Sequence, residues 1–226
     1  MKTYELLVFD WDGTLMDSAH RIVTCMQLAA TDLGHEAPTT AAVRNIIGLG
    51  LQEAVALLFP GLSEDSRTGV IDAYRDHWLG KRIPESSLFP GAETVLQQFS
   101  QAGYLLAVAT GKSRRGLDSV LADTGLGPLF HLTRCADEAH SKPHPQMLQD
   151  ILTDLDTPSS RALVIGDTEY DMQMAGNAGV DAVGVVHGVH SSDRLREHGA
   201  LTVFNHLEEL PQWLQTKAQD SREAQA

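Results

Sequence analysis

The chain has 226 residues, 42% of them hydrophobic and 21% charged, and its 30 acidic against 17 basic residues give a formal net charge of −13. That length holds one large domain, or a core domain with a smaller one inserted. The negative surplus excludes a general nucleic-acid or anionic-membrane surface, which needs a basic face. A small phosphorylated ligand, which needs only a few local cations, stays open.

Tyr4–Phe9 reads as a strand that is apolar nearly throughout and so buried on both faces. It runs straight into Asp10-Trp11-Asp12-Gly13-Thr14-Leu15. Residues two apart on an extended chain point the same way, so Asp10 and Asp12 converge. Converging carboxylates repel unless a cation lies between them.

Residues 18–85 show no strand. Ala19, Ile22, Val23, Met26, Ala29, Ala30 and Leu33 recur at helical spacing, and Ala41–Ile47, Leu51–Phe59 and Ser63–Leu79 read as helices too. A helical insert directly after the first strand predicts a separate cap domain over 18–85. Lys81–Ser87 is the expected return linker, and the core is then 1–17 with 86–226.

From Phe89-Pro90-Gly91 onward strands and helices alternate. Helices are expected at Thr94–Gln101, Ser113–Thr124, Pro145–Leu155, Asp171–Ala178 and Leu207–Lys217. Strands are expected at Tyr104–Ala109, Ala162–Ile165 and Ala182–Val186, with a weaker one at Leu129–Thr133 and a short edge strand at Leu201–Phe204. Gln219–Ala226 is polar and expected to fray. The alternation implies an α/β fold with a parallel sheet covered on both faces, and ligands in such sheets bind outside the carboxyl ends of the strands.

Cys25 and Cys135 match no metal-ligand spacing and read as reduced structural thiols. The N-terminal stretch lacks a basic segment followed by an apolar one, and no apolar run reaches membrane-span length. The expectation is a cytoplasmic enzyme acting on a small phosphorylated metabolite, with neither nucleic acid nor membrane as partner.

Four spots carry chemistry: Asp10–Thr14, Thr110-Gly111-Lys112, Ser141-Lys142-Pro143 and Gly166-Asp167-Thr168-Glu169-Tyr170-Asp171. Together they supply the parts of a phosphoryl-transfer site. Asp10 is the candidate nucleophile, able to form an aspartyl-phosphate. Asp12 is the candidate acid/base. Mg²⁺ suits hard oxygen ligands, with Asp10, Asp167 and the main-chain carbonyl of Asp12 as a sensible set. Asp171 binds the metal directly or through a water. The Thr110 hydroxyl, the Gly111 amide and the Lys142 ammonium face the phosphate. Lys112, Arg114 and Arg115 form a basic spot that either attracts phosphate or is a solvated helix face.

This ordered set resembles the four motifs of the haloacid dehalogenase superfamily, and the helical insert resembles the C1 cap of its phosphoglycolate-phosphatase-like branch. The resemblance covers nearly the whole chain. It implies a Rossmann-like core, Mg²⁺ dependence, an aspartyl-phosphate intermediate and a cap that closes over substrate. Dehalogenases of the superfamily lack the second aspartate of the first motif, so Asp12 points to a phosphatase. The β-phosphoglucomutases carry a cap-hinge histidine where this register places Ile22, with His20 close by, so a phosphosugar mutase is the alternative. A receiver-like phosphoacceptor domain is the alternative from another class, and the helical insert speaks against it. Many relatives have Asn or Ser where Gly111 stands, so a side-chain phosphate contact is expected to be missing. Ile47-Gly48-Leu49-Gly50 resembles the branch's substrate-specificity loop. Gly48 there lets backbone approach the ligand, and Arg44 and Asn45 just before it are the candidate substrate-reading side chains.

Overall fold

The computed structural model of the chain describes residues 4–80 and 83–223. Strand β1 (Leu6–Phe9) lies at the middle of a six-stranded parallel sheet. Its neighbours are β4 (Leu105–Thr110) on one side and β6 (Ala162–Gly166) on the other. Beyond β4 lies β5 (Leu132–Cys135); beyond β6 lie β7 (Asp181–Val185) and β8 (Val203–Phe204). The chain thus winds outward on one side of β1 and then on the other, which opens a crevice at the carboxyl ends of the central strands.

Side-chain alternation explains why both faces are covered. Leu7 and Phe9 of β1 enter one hydrophobic cluster with Leu106 and Val108 of β4, Val95, Leu96 and Phe99 of α5 (Ala92–Gln101), and Leu214 of α10 (Leu210–Glu223). Leu6 and Val8 enter another with Ala107, with Met147, Leu148 and Ile151 of α7 (Gln146–Asp154), and with Met172 and Ala175 of α8 (Glu169–Asn177). Helix α6 (Arg114–Thr124) starts on a Ser113 hydroxyl that accepts from the Gly116 amide, and it stops at left-handed Gly125.

Between β1 and β4 run α1 (Ala19–Asp32), α2 (Thr40–Asn45), α3 (Leu51–Leu58) and α4 (Glu64–Leu79). Ile22, Met26, Val43, Val55 and Val70 bring them together in a third hydrophobic cluster, apart from the two that flank the sheet. Two-residue strands β2 (Met16–Asp17) and β3 (Ser87–Leu88) pair antiparallel where the chain leaves and re-enters the sheet layer.

Several boundaries depart from expectation. The strand expected at Leu129–Thr133 starts at Leu132, because Gly127–Leu129 with its proline closes a 3₁₀ turn first. The β2–β3 pair and α9 (Ser192–Glu197) have no counterpart in the periodicity, being short and mostly polar. The last helix continues through Glu223, so residues 219–223 are helical where fraying is expected; residues 224–226 lie outside the described residues, as do 81 and 82 of the expected linker.

Leu106→Ala removes a fully buried side chain between β1 and α5 and is expected to cost about 2–5 kcal/mol. Urea unfolding followed by circular dichroism measures it; a loss below about 1 kcal/mol contradicts this packing.

Candidate active site

The sheet register creates the site. Phe9 is level with Val108 of β4 and Ile165 of β6. Asp10, one residue on, and Thr110 and Asp167, two residues on, therefore gather at the same end of three adjacent strands, and the Asp10 amide donates to the Ile165 carbonyl at 2.9 Å. Gly13 takes a left-handed φ of +86°, and a Cβ there would lie 2.2 Å from Asp167 Oδ2. The loop after β1 reaches the loop after β6 only because that position is glycine.

Asp10, Asp167 and Asp171 are all buried, and one carboxylate oxygen of each lies within 4.8 Å of the others. Lys142 is buried with them. Its Nζ donates to Asp171 Oδ1 at 2.6 Å and lies 2.8 Å from Asp10 Oδ1. Neither Asp10 oxygen has a geometrically well-formed hydrogen bond among the described residues, so Lys142 meets it as an ion pair. Asp167 accepts from Thr14 Oγ1 and from the Val189 amide, both at 2.9 Å. Asp171 Oδ2 accepts from the Thr168 amide at 3.1 Å and hydroxyl at 2.6 Å.

The electrostatics follow from crowding without water. Burial pushes Asp10 from 3.8 up to about 7; Lys142 opposes this, and the charges of Asp171 and Asp12 add to it. Burial, with Asp10 and Asp171 nearby, holds Asp167 well above the usual carboxylate range. Burial also works against the Lys142 ammonium, but Asp10 and Asp171 outweigh it and hold its pKa above that of an ordinary lysine. One lysine does not neutralise three acids.

The donor set fits a hard divalent cation. Asp10 has two oxygens free of donors, and each Asp167 oxygen accepts one bond and keeps a lone pair. Asp171 divides its oxygens between Lys142 and Thr168. It is thus a first-turn helix acid and a partner of the cluster at once.

The Asp12 carboxylate lies outside this cluster. Lys112 Nζ grips both its oxygens at 2.9 Å, and Ser18 donates to Oδ1 at 2.5 Å. The ammonium also sits 4.3 Å from the centre of the Trp78 ring of α4. Of the basic spot, Lys112 thus belongs to the site, while Arg114 is tied to Glu138, Asp118 and Thr133 at the edge of the sheet. Thr110 is buried, and its Oγ1 accepts from the Lys112 amide at 3.2 Å.

A cavity of about 600 Å³ opens over Asp10 and Asp12, between the sheet end and α1, α4 and the 46–54 segment. Gly48, Gly111 and Lys112 line it. At Gly111 a Cβ would lie 2.4 Å from the Leu49 carbonyl oxygen, so the absent side chain is space that the helical segment's own backbone fills. Ser141, beside Lys142, accepts from the Gly50 amide at 2.7 Å.

Arg44 and Asn45 do not line this cavity. Arg44 donates to the Gly188 carbonyl at 3.0 Å. Asn45 accepts from Arg194 Nη1 at its side-chain oxygen, 2.6 Å, and from the Tyr170 hydroxyl at its carbonyl, 2.9 Å. Arg194 in turn forks onto Glu169 at 2.6 and 2.7 Å. The two residues tie the end of α2 to the loop after β7, to α9 and to the first turn of α8. Sequence reasoning passed over the supports Ser18, Thr168 and Val189. The short spacing of Ser18 from Asp12 was the signal available; a backbone amide such as Val189 leaves none.

The pattern of the haloacid dehalogenase-like hydrolase family matches residues 7–185. A protein of Dickeya dadantii named probable phosphatase IndB is 35% identical over 84% of this chain and 85% of its own length. The phosphoglycolate phosphatase of Vibrio cholerae is 28% identical over 85% of this chain and 89% of its own. Among solved structures, a hydrolase from Pseudomonas syringae superposes with a TM-score of 0.85 over 96% of this chain and 99% of its own, at 21% identity, and so shares the fold. The chain belongs to the haloacid dehalogenase-like hydrolase family. No helix among the described residues is long and apolar enough to cross a membrane.

The acid cluster sets a pH dependence. In metal-free protein the folded-state pKa of Asp10, about 7, stands above its ordinary 3.8, so its stabilising contribution is complete below 3.8 and is lost as pH rises through about 7. A divalent cation offsets that loss. Mg²⁺ against chelator is therefore expected to raise the melting temperature by several degrees at pH 8 and by much less at pH 5. Thermal scans at the two pH values decide it; equal shifts contradict the assignment.

Proposed function

We propose that the protein is a Mg²⁺-dependent phosphomonoesterase that works through an aspartyl-phosphate on Asp10, with 1–17 and 86–226 as the catalytic core and 18–85 as its cap. The observation that carries this reading is the Asp10 carboxylate: buried, without a hydrogen-bond donor, 2.8 Å from Lys142 and at the floor of the cavity. A buried carboxylate whose one ion-pair partner, Lys142, is shared with Asp171 is held for a further cationic ligand, because burying it with so little compensation is otherwise costly.

Asp10 attacks phosphorus as the bond to the leaving oxygen breaks, and Asp12 gives that oxygen its proton. Water then attacks the phosphorus of the aspartyl-phosphate, Asp12 takes the water's proton, and Asp10 is freed as inorganic phosphate departs. Lys142 sits where it offsets charge on the transferring group, and Thr110 and the Gly111 amide face the same oxygens. Magnesium, held by Asp10 and Asp167 with Asp171 behind them, would supply positive charge to the phosphoryl oxygens. Lys112 and Ser18 hold the Asp12 carboxylate at the cavity floor. Helices α1–α4 cover the site and exclude bulk water.

Hydrolysis is favoured over a mutase by α1: Ile22 lines the cavity, whereas His20 is exposed and does not. A receiver-like role has no use for four helices over the phosphoacceptor. Relatives named phosphoglycolate phosphatase make 2-phosphoglycolate the reference substrate.

Asp10→Asn keeps shape and removes the nucleophile; phosphate release with Mg²⁺ is expected to fall by about a thousandfold or more with the circular dichroism spectrum unchanged. Release at the wild-type rate overturns the nucleophile.

A further inference from the structure

The cavity over Asp12 has an apolar share to its walls: Ile22 and Met26 of α1, Tyr74 and Trp78 of α4, and Ile47 line it, alongside polar residues such as Gln52, Glu53 and Ser119. Its volume of about 600 Å³ is of the order that encloses a drug-sized ligand. The two-carbon acid of phosphoglycolate would cover little of these walls. The cation nearest Asp12 is committed: Lys112 grips Asp12 and lies on the Trp78 ring. Arg75 and Arg115, which also line the cavity, are exposed at its rim. Arg44 is turned to Gly188.

Trp78 is a fixed wall. Arg21 lies 4.6 Å from its ring centre, Lys112 4.3 Å from it, and Tyr74 stacks beside it at 6.2 Å with 22° between planes. Tyr74 lines the cavity, and its hydroxyl has no hydrogen-bond partner among the described residues. Burial, with the charge of Asp12 beside it, keeps that hydroxyl protonated and so a donor. The leaving oxygen must come to Asp12, and from there the alcohol's body enters the cavity that Tyr74 lines.

Resting on the phosphatase reading, we propose that the preferred substrate is a phosphomonoester whose alcohol carries a ring-sized, largely apolar body, clasped between Ile22 and Met26 on one side and Tyr74 and Trp78 on the other. Tyr74 is then a specificity residue. Apolar bodies gain from leaving water against such walls, and a single methylene in a hydrophobic pocket already changes kcat/KM measurably.

The test compares kcat/KM of the Mg²⁺-loaded full chain for 2-phenylethyl phosphate and for 2-phosphoglycolate. A preference of about tenfold or more for the phenylethyl ester is expected. Two variants are measured beside it. Tyr74→Ala opens the inner wall. Ser119→Trp narrows the cavity from an exposed position on α6 and does not depend on refolding the core. Each is expected to lower the ratio of the two kcat/KM values at least about fivefold, mainly through KM of the phenylethyl ester. Preference for phosphoglycolate, or a ratio that neither variant moves, overturns the inference and leaves the phosphatase intact. Release from neither ester, at rates no different from Asp10→Asn, overturns the phosphatase reading and the inference with it.

Discussion

Three buried carboxylates sharing one buried lysine is the constraint on which the rest of the structure depends. Asp10, Asp167 and Asp171 come from the ends of two adjacent strands and the first turn of the helix that follows. Lys142 is brought to them from the loop before α7. Bringing charges of one sign out of water is costly unless each is paired or hydrogen-bonded. Asp167 and Asp171 meet that cost with hydroxyl and amide donors. Asp10 has only the Lys142 ammonium, which it shares with Asp171. The fold thus leaves one carboxylate under-satisfied in a place that it has otherwise supported from every side. This is the local conflict expected where a sequence serves chemistry rather than stability.

The helices over the sheet end are held to it by backbone as much as by side chains. The Gly48 and Leu49 carbonyls lie so close to Gly111 that any side chain would collide with them, and the Gly50 amide is held by Ser141. A glycine after the strand-end threonine looks in sequence like a lost phosphate contact. In three dimensions it is also the seat for the 46–50 loop. The same loop borders the cavity, so the packing that seats the helices also shapes the space above Asp12.

Legibility followed the physics of each signal. The parallel sheet was readable because β1, β4 and β6 are apolar on both faces and are flanked by helices with clear stops at Gly103, Gly125 and Gly179. The four helices after β1 were readable from a sustained 3.6-residue repeat. The β2–β3 pair and α9 were not read: Met16–Asp17, Ser87–Leu88 and Ser192–Glu197 are short and mostly polar, and show no apolar repeat. At the site, Asp10, Asp167, Asp171 and Lys142 were legible because their positions after strands and before helices restrict where they can point. Lys112 was legible only as a charge. Whether it faced water or Asp12 depended on Trp78, which lies in a different helix and has no fixed offset from it in sequence.

Arg44 and Asn45 show the same limit from the other direction. They flank a loop that does border the cavity, yet their polar atoms reach the Gly188 carbonyl and Arg194. The next amide after Gly188, that of Val189, is a donor to Asp167, and His187 Nε2 lies 2.9 Å from the Thr14 carbonyl. One short loop after β7 therefore contacts the helical segment through Arg44 and the acid cluster through Asp167 and Thr14. A displacement of the helices that broke the Arg44 bond would act on the loop that supplies a donor to Asp167. The contact path from the covering helices to the acids is thus short: the Arg44 side chain, one peptide bond from Gly188 to Val189, and the Asp167 carboxylate.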